Sequence, residues 1–193
     1  HGAHFDITPN FPKSSMNFKA DIVIQSYHKM LPALTMGSVV FTIDKNRHSK
    51  LMKYISYIES SSPSYLVMAS LETAHEFYLN YDDALFFINR QRIIDALKDT
   101  GCHVTEMDDP SKLSISHPTH SNYVIEQAMV DVNIYPEMTT DEGVLFILPL
   151  SHPGDSYPYN LLMSRLSSMQ FSKLKRENTE DFTQLMNRVC IQH

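Results

Sequence analysis

Cysteine is scarce in this chain, which has only Cys102 and Cys190, far apart in the sequence. Two isolated thiols suggest neither a disulfide framework nor a zinc site, so reduced thiols are expected. No basic stretch offsets the formal net charge of −6, the longest cluster being residues 173–176, so nucleic-acid binding is not expected. No apolar run approaches the ~18–20 residues of a membrane span, and no signal peptide opens the chain. These absences predict a soluble, cytoplasmic protein without a membrane partner.

The composition that remains is that of an ordinary globular protein. Of 193 residues, 42% are hydrophobic and 20% are charged, which is enough to form one domain core or two small ones. Two short runs rich in β-branched residues, 20–25 and 38–43, predict strands. Between them lies a turn-rich segment with one lysine, Lys29, which the two strands would present from their connecting loop.

The rest of the chain predicts helices and further strands. Apolar residues at helical spacing predict a helix over 47–58. A second helix follows, with Ser62 as its N-cap and Pro63 at the first helical position, and a third runs from 81–83 to Gly101, a typical C′ residue. The later elements are strands over 102–106, 112–116 and 144–149 and helices over 121–132, 158–169 and 180–192. This alternation indicates a small layered α/β unit, so we place a domain boundary after Tyr81, giving domains 1–81 and 82–193.

Lys29 has the surroundings that a Schiff-base lysine needs. A histidine precedes it, and hydroxyl groups lie near it in the sequence at Ser26, Thr35 and Ser38. Partial desolvation at the end of a buried strand makes a lysine amine more nucleophilic, and hydroxyl groups can hold an anionic cofactor. The alternative is an ordinary solvated lysine in a loop, and the pattern alone leaves both interpretations open.

Three segments of the chain resemble one enzyme family. Ser26-Tyr27-His28-Lys29, followed by LPALT at 31–35, resembles the cofactor-lysine segment of the ornithine/lysine/arginine decarboxylases, which are pyridoxal-phosphate enzymes of fold type I. The opening residues 1–5 and the serine-rich stretch 60–65 match the same family, in order and at roughly its distances. Met36 departs from the family, in which glutamine is common at this position. The resemblance implies an α/β fold: the C-terminal part of an aspartate aminotransferase-like, PLP-binding large domain plus a small α/β C-terminal domain.

The resemblance also implies roles for the residues around Lys29. Lys29 would form the internal aldimine with pyridoxal 5'-phosphate (PLP), and His28 and Ser26 would contact the cofactor or its phosphate. In an ideal strand Ser26 and His28 share one face and Lys29 the other, so the three converge only if the chain bends near His28. Pro32 is compatible with such a bend. Ordinary strand-end hydrogen bonding is the alternative for Ser26 and His28.

Other cofactor-binding candidates lie further from Lys29 in the sequence. In the family, the segment that begins with His1 directly follows an Asp-x-Ala segment at the pyridine ring. His1 is therefore a candidate, and the upstream half of the enzyme is expected to be missing from this chain. Ser61 and Ser62 correspond to a turn at the dimer interface near the partner subunit's cofactor, where their hydroxyls could hold a phosphate. The alternative for His1 and His4 is a tag or a loop, and no metal site is expected.

Glu137 is the candidate for recognising the substrate. Residues 133–137 resemble the family's entry into a C-terminal strand, where a glutamate faces the active site, and a carboxylate suits a cationic side chain. A carboxylate in a surface turn is the alternative. His117, His120 and His152 lie beside prolines or in polar turns, so solvated loop positions are expected for all three.

The function implied by the resemblance is PLP-dependent decarboxylation of a basic amino acid (arginine, lysine or ornithine) to the amine and CO2. Lys29, His28 and Glu137 would be the catalytic residues, in a homodimer or higher homo-oligomer completed by the N-terminal portion of the same enzyme. Two alternatives stay open. One is another fold type I reaction, that of an aminotransferase, aldolase or lyase, and the other is a catalytically silent fragment or assembly subunit.

Overall fold

An antiparallel β-hairpin carries Lys29. The computed structural model describes residues 2–59 and 61–171. Strand β1 (Ile22–Ser26) pairs with β2 (Ser38–Thr42), from Ile22 opposite Thr42 to Ser26 opposite Ser38. The connection begins with a 3-10 turn, Tyr27–Lys29, so Lys29 follows the first strand closely, as the two apolar runs predicted.

Three helices follow the hairpin. Helix α1 spans Lys45–Ile55, α2 spans Tyr65–Leu79 and α3 spans Ala84–Asp99. Helix α3 ends at the C-cap Thr100, and Gly101 follows with a φ of 87°, the left-handed C′ conformation that favours glycine. Within the described ranges, no helix has the length and apolarity of a bilayer-spanning segment.

The predicted N-cap of α2 is wrong. The cap is Ser64, whose hydroxyl accepts a hydrogen bond from the Val67 backbone N–H at 3.4 Å. Ser62 and Pro63 precede the helix. The serine-rich stretch offers several hydroxyls that could cap the helix. Ser64 caps it because it is the last residue before the first helical turn and has an extended backbone, with φ −75° and ψ 108°.

The second part of the chain forms a four-stranded antiparallel sheet. Its strands are His103–Glu106 (β3), Lys112–Ser116 (β4), Met138–Thr139 (β5) and Val144–Ile147 (β6). They lie side by side in the order β3-β4-β6-β5. Helix α4 (Asn122–Asp131) contacts β4, β5 and β6, and α5 (Tyr159–Ser168) packs on α3. The predicted mixture of helices and strands is confirmed. The predicted helix over 180–192 lies outside the described residues.

One hydrophobic core joins the two parts of the chain. Its buried residues include Ala3, Phe11 and Tyr27 from the first part and Phe86 and Leu97 from α3. The sheet contributes the inward-facing residues of β4 and β6, which alternate along both strands. The domain boundary after Tyr81 stays a prediction, because the core continues across it.

Candidate active site

Lys29 lines an open pocket of about 530 Å³. Its side chain is exposed. The chain leaves β1 and bends at Tyr27, and the 3-10 turn brings both His28 and Lys29 to the pocket. The remaining polar lining residues, Glu137, His152 and Tyr157, come from segments on either side of β6. The pocket therefore combines an amine, two imidazoles, a carboxylate and a phenol from separate parts of the sequence.

His28 is held in a fixed orientation by the hairpin connection. Its backbone N–H and its Nδ1 both donate to the Gly37 carbonyl oxygen, at 3.2 and 2.9 Å. Because a carbonyl oxygen only accepts, Nδ1 carries a proton and Nε2 of the neutral ring is an acceptor. The half-buried ring is thus oriented by Gly37, while Nε2 remains available to a bound molecule.

Glu137 reaches the same pocket from a distant part of the chain. It precedes β5, and its backbone N–H donates to the Leu145 carbonyl oxygen at 2.9 Å, which ties it to β6. The exposed side chain lines both the Lys29 pocket and a second pocket of about 330 Å³. The second pocket also has Tyr135 and Arg165 in its wall. The Glu137 carboxylate is therefore shared by two adjoining pockets.

His152 and Tyr157 belong to the pocket, although no sequence pattern in this proline-rich segment distinguishes them. His152 lies in a loop, as expected, but it is half-buried, and its ring lies edge-on to Phe77 with centroids 5.3 Å apart. Burial raises the pKa of Tyr157, so its phenol keeps its proton at neutral pH. His117 and His120 are also half-buried rather than solvated, with ring centroids 4.6 Å apart.

Three proposed cofactor residues do not line this pocket in the described chain. Ser26 is half-buried at the end of β1, opposite Ser38. Ser61 and Ser62 are exposed in the segment before α2. His1 lies outside the described residues. The structure thus brings together Lys29, His28 and Glu137, whereas Ser26, Ser61 and Ser62 do not line this pocket.

A buried polar cluster ties the start of the chain to β4. His4 Nε2 donates to Asp109 Oδ1 at 3.0 Å, and the two residues are 0% and 6% exposed. The same carboxylate oxygen accepts the Ser111 backbone N–H at 3.1 Å and the Ser111 hydroxyl at 2.7 Å. Lys112 Nζ lies 3.3 Å from Oδ2. The segment next to His1 is therefore fixed by contacts from the second part of the chain.

This cluster has the residue types of a hydrolytic triad but not its access. Burial alone would raise the pKa of Asp109, but hydrogen bonds from His4 and Ser111 outweigh it and hold the pKa below the ordinary value. Ser111 and His4 are both fully buried, so no substrate reaches the hydroxyl. The cluster is structural: hydrogen bonds from His4 and Ser111 and the nearby Lys112 ammonium compensate the buried Asp109 carboxylate.

Comparison with known proteins places the first part of the chain in a family. Residues 1–86 match the model for the Orn/Lys/Arg decarboxylase major domain. The uncharacterized protein YaaO of Bacillus subtilis (strain 168) is 35% identical over 164 residues, which cover 78% of this chain and 34% of that protein. The arginine decarboxylase of the same organism is 32% identical over 80 residues, 39% of this chain and 16% of the relative.

Two solved lysine decarboxylases share the fold. The constitutive enzyme of E. coli aligns with a TM-score of 0.57 at 16% identity, covering 76% of this chain and 28% of that structure. The Francisella novicida enzyme LdcF aligns with a TM-score of 0.58 at 18% identity, covering 86% and 28%. The chain thus spans about a third or less of the proteins that it matches. Residues 1–86 thus resemble the major domain of the Orn/Lys/Arg decarboxylases, and the chain shares its fold with two lysine decarboxylases.

Proposed function

We propose that this chain is part of a PLP-dependent enzyme that decarboxylates arginine, lysine or ornithine to the amine and CO2. The observation that supports the proposal best is the Lys29 pocket, which Lys29, His28 and Glu137 line together. The match of residues 1–86 to the Orn/Lys/Arg decarboxylase major domain suggests the reaction class. The pocket offers one group for each of three tasks: attachment of the cofactor, contact with its ring, and binding of a cationic substrate.

Lys29 is the residue that would carry PLP, through a bond between Nζ and the cofactor's aldehyde carbon. The pocket volume of about 530 Å³ lies within the roughly 300–1,000 Å³ typical of small-molecule sites. Lys29 is an exposed residue of this pocket. When bound, PLP accepts the electron pair that remains on the substrate's α-carbon as CO2 leaves.

The remaining cofactor contacts are assigned by position in the chain. His28 Nε2, which no described residue hydrogen-bonds, would contact the ring or the phosphate. The hydroxyls of Ser26, Ser61 and Ser62 are the proposed phosphate donors, and His1 is proposed to contact the ring. Because the serines lie outside the pocket of the single chain, Ser61 and Ser62 are proposed to serve the partner subunit's cofactor in a homodimer or higher homo-oligomer.

Glu137 would bind the cationic end of the substrate. A carboxylate forms charge-assisted hydrogen bonds with an ammonium or guanidinium group, which are about twice as strong as neutral ones. The second pocket gives the substrate side chain room beyond Glu137. In that pocket Arg165 Nη1 already donates to the Asn133 carbonyl oxygen at 3.1 Å, so its charge is partly engaged away from the substrate.

An apolar surface around the hairpin is the proposed contact with the rest of the enzyme. Ile24 and Ile43 are 70% and 60% exposed, Tyr65 and Leu66 are 80% and 75% exposed, and α1 buries none of its residues. Extended apolar surface of this kind marks an interaction site. We assign it to the remaining portion of the PLP-binding large domain, because residues 1–86 match a major domain and the chain spans about a third or less of its relatives. A cytoplasmic location is part of the same proposal.

The covalent assignment is tested by trapping. The chain is incubated with PLP, alone and together with a polypeptide carrying the rest of the large domain, reduced with borohydride and digested for mass spectrometry. We expect a pyridoxyl group on Lys29 when both parts are present, and none in Lys29→Ala. The control Lys53→Ala changes an exposed lysine of α1 and should leave the labelling of Lys29 unchanged. Labelling spread evenly over surface lysines would contradict the assignment.

The reaction is tested by release of CO2 from arginine, lysine and ornithine in parallel. Glu137→Gln keeps the size of the side chain and removes its charge, so we expect KM for the preferred substrate to rise about tenfold or more. Amine transfer to a keto acid without CO2 release would instead identify another fold type I reaction. Absence of any turnover in the labelled, assembled protein would identify a silent subunit.

A further inference from the structure

We infer that His152 is a second proton-transfer residue of the Lys29 pocket, whose Nε2 donates the proton that replaces the carboxylate on the substrate's α-carbon. The inference rests on the proposed function. The bond between the α-carbon and the carboxylate breaks, CO2 leaves, and its bonding electrons stay on the α-carbon side. A C–H bond then forms as the Nε2–H bond breaks, and the neutral imidazole regains a proton from water.

The backbone before His152 is fixed by side chains from α3, α5 and the segment before α3. Ser151 is only 1% exposed. Its carbonyl oxygen accepts the Tyr81 hydroxyl at 3.1 Å, and its own hydroxyl accepts Asn89 Nδ2 at 3.4 Å and hydrogen-bonds with the Tyr159 hydroxyl. Tyr81 precedes α3, Asn89 belongs to α3 and Tyr159 to α5. Such support gives His152 the fixed position that a functional side chain needs.

Contacts inside the loop fix the ring itself. The His152 backbone N–H donates to Asp155 Oδ2 at 3.1 Å, and Nδ1 donates to the Pro153 carbonyl oxygen at 3.1 Å. The edge-on contact with Phe77 sets the ring plane. Because Nδ1 is committed to an acceptor, Nε2 is the nitrogen that gains and loses a proton, and no described residue hydrogen-bonds it.

The other polar lining groups are assigned to other tasks or are weaker acids. Lys29 is assigned to the cofactor's aldehyde, His28 to the ring or phosphate, and Glu137 to the cationic end of the substrate. The phenol of Tyr157, whose pKa is raised by burial, is a weaker acid than an imidazolium. An imidazole changes protonation near neutral pH, which suits a general acid. The titratable groups that share the pocket or contact the His152 loop are Lys29, His28, Glu137, Tyr157, Asp155, Tyr81 and Tyr159.

Two substitutions separate proton transfer from packing in the PLP-loaded, assembled protein. His152→Asn keeps a donor near the position of Nδ1 and removes Nε2, whereas His152→Phe keeps a ring against Phe77 and removes both nitrogens. We expect each to lower kcat about 10²-fold, with KM within about twofold and the pyridoxyl labelling of Lys29 unchanged. The limb of the kcat–pH profile that reports His152 should disappear. The control His120→Asn changes another loop histidine outside the pocket and should retain wild-type kcat.

A second readout does not depend on turnover. Diethyl pyrocarbonate modifies accessible neutral imidazoles, and peptide mass spectrometry locates the modified residues. We expect His152 to be modified in the chain without cofactor and protected when PLP and a non-reacting basic amino acid analogue are bound. Modification of His120 should be equal in both states.

Each result decides between distinct interpretations. A kcat within twofold of wild type in His152→Asn, or full activity in His152→Phe, would overturn the inference and leave the ring a packing role. A raised KM at unchanged kcat would identify a binding residue instead, and equal modification of His152 with and without ligand would also contradict the inference. Absence of a pyridoxyl group on Lys29 in the wild-type protein would refute the proposed function and this inference with it. Normal labelling of Lys29 together with an unchanged kcat in the His152 variants would refute the inference alone.

Discussion

Gly37 connects the Lys29 pocket to the backbone of the hairpin. Its carbonyl oxygen accepts both hydrogen bonds that orient His28, and a Cβ at this position would lie 2.9 Å from the Leu34 carbonyl oxygen. Gly37→Ala therefore forces the connection to shift, and we expect it to lower the free energy of unfolding by ~1–3 kcal/mol and to reduce kcat/KM as His28 loses its orientation. Urea denaturation and steady-state kinetics measure both. Met36→Ala, next to it and exposed, should change neither; equal effects of the two substitutions would contradict this role.

Asp109 makes stability depend on acid pH. Its pKa is lower in the folded protein than in the unfolded chain, where it is about 3.9. The hydrogen-bonded carboxylate therefore stabilises the fold fully above that unfolded value, and the contribution is lost as the pH falls through the lower, folded value. We expect Asp109→Asn to lower the free energy of unfolding at neutral pH by ~1–3 kcal/mol, because the buried donors of His4 and Ser111 lose a charged acceptor.

Urea denaturation at a series of pH values measures the Asp109 contribution. The difference between wild type and Asp109→Asn should shrink as the pH falls below about 4. Asp99→Asn, an exposed carboxylate at the end of α3, is the matched control and should follow the wild-type curve. A constant difference between Asp109→Asn and wild type at all pH values would show that the loss comes from packing and not from charge.

At the scale of single elements, the sequence predicts the helix bounds that depend on local patterns of residues. The period of apolar residues in α4 and the position of Gly101 after α3 predicted both helices to within one or two residues. The pattern could not identify Ser64 as the cap of α2, because neighbouring serines offer the same hydroxyl. Nor could it place His152 at the Lys29 pocket, since that contact depends on how the segment after β6 packs on Phe77 of α2. The resemblance to a family, and not periodicity, singled out Glu137.

The cap of α2 gives a direct test at this scale. Ser64 accepts the Val67 N–H, so Ser64→Ala leaves one more N–H at the helix start without a protein partner. We expect the free energy of unfolding to fall by ~0.5–2 kcal/mol and amide hydrogen exchange in the first turn of α2 to accelerate. Ser61→Ala removes the same hydroxyl from an exposed residue before the helix and should change stability by less than about 0.5 kcal/mol. The opposite order would contradict the assignment of Ser64 as the cap.

At the scale of the whole molecule, the start of the chain is packed into the core, whereas the hairpin and α1 expose apolar surface. The segment that begins near His1 is embedded in the second part of the chain: His4 pairs with Asp109, and the Phe11 ring contacts Tyr81 and Phe86. By contrast, the hairpin and α1 leave much of their apolar surface to solvent. The pocket end of the described fold is thus supported by the core, whereas we propose that the outer face of the hairpin depends on another polypeptide segment.

This dependence predicts how the chain behaves when the rest of the large domain is added. We expect the isolated chain to bind a hydrophobic dye and to self-associate, and the added polypeptide to suppress both, because it covers the surface around Ile24. Ile24→Glu places a charge on a side chain that is 70% exposed. It should therefore leave the isolated chain folded, as measured by circular dichroism, but weaken association with the added polypeptide about tenfold or more, as measured by analytical ultracentrifugation.

Met107→Glu, 45% exposed and beyond the predicted domain boundary, is the matched control and should associate normally. Equal association of Ile24→Glu and wild type would show that the partner binds another face, because a charge buried without a partner cannot be tolerated at a tight apolar contact.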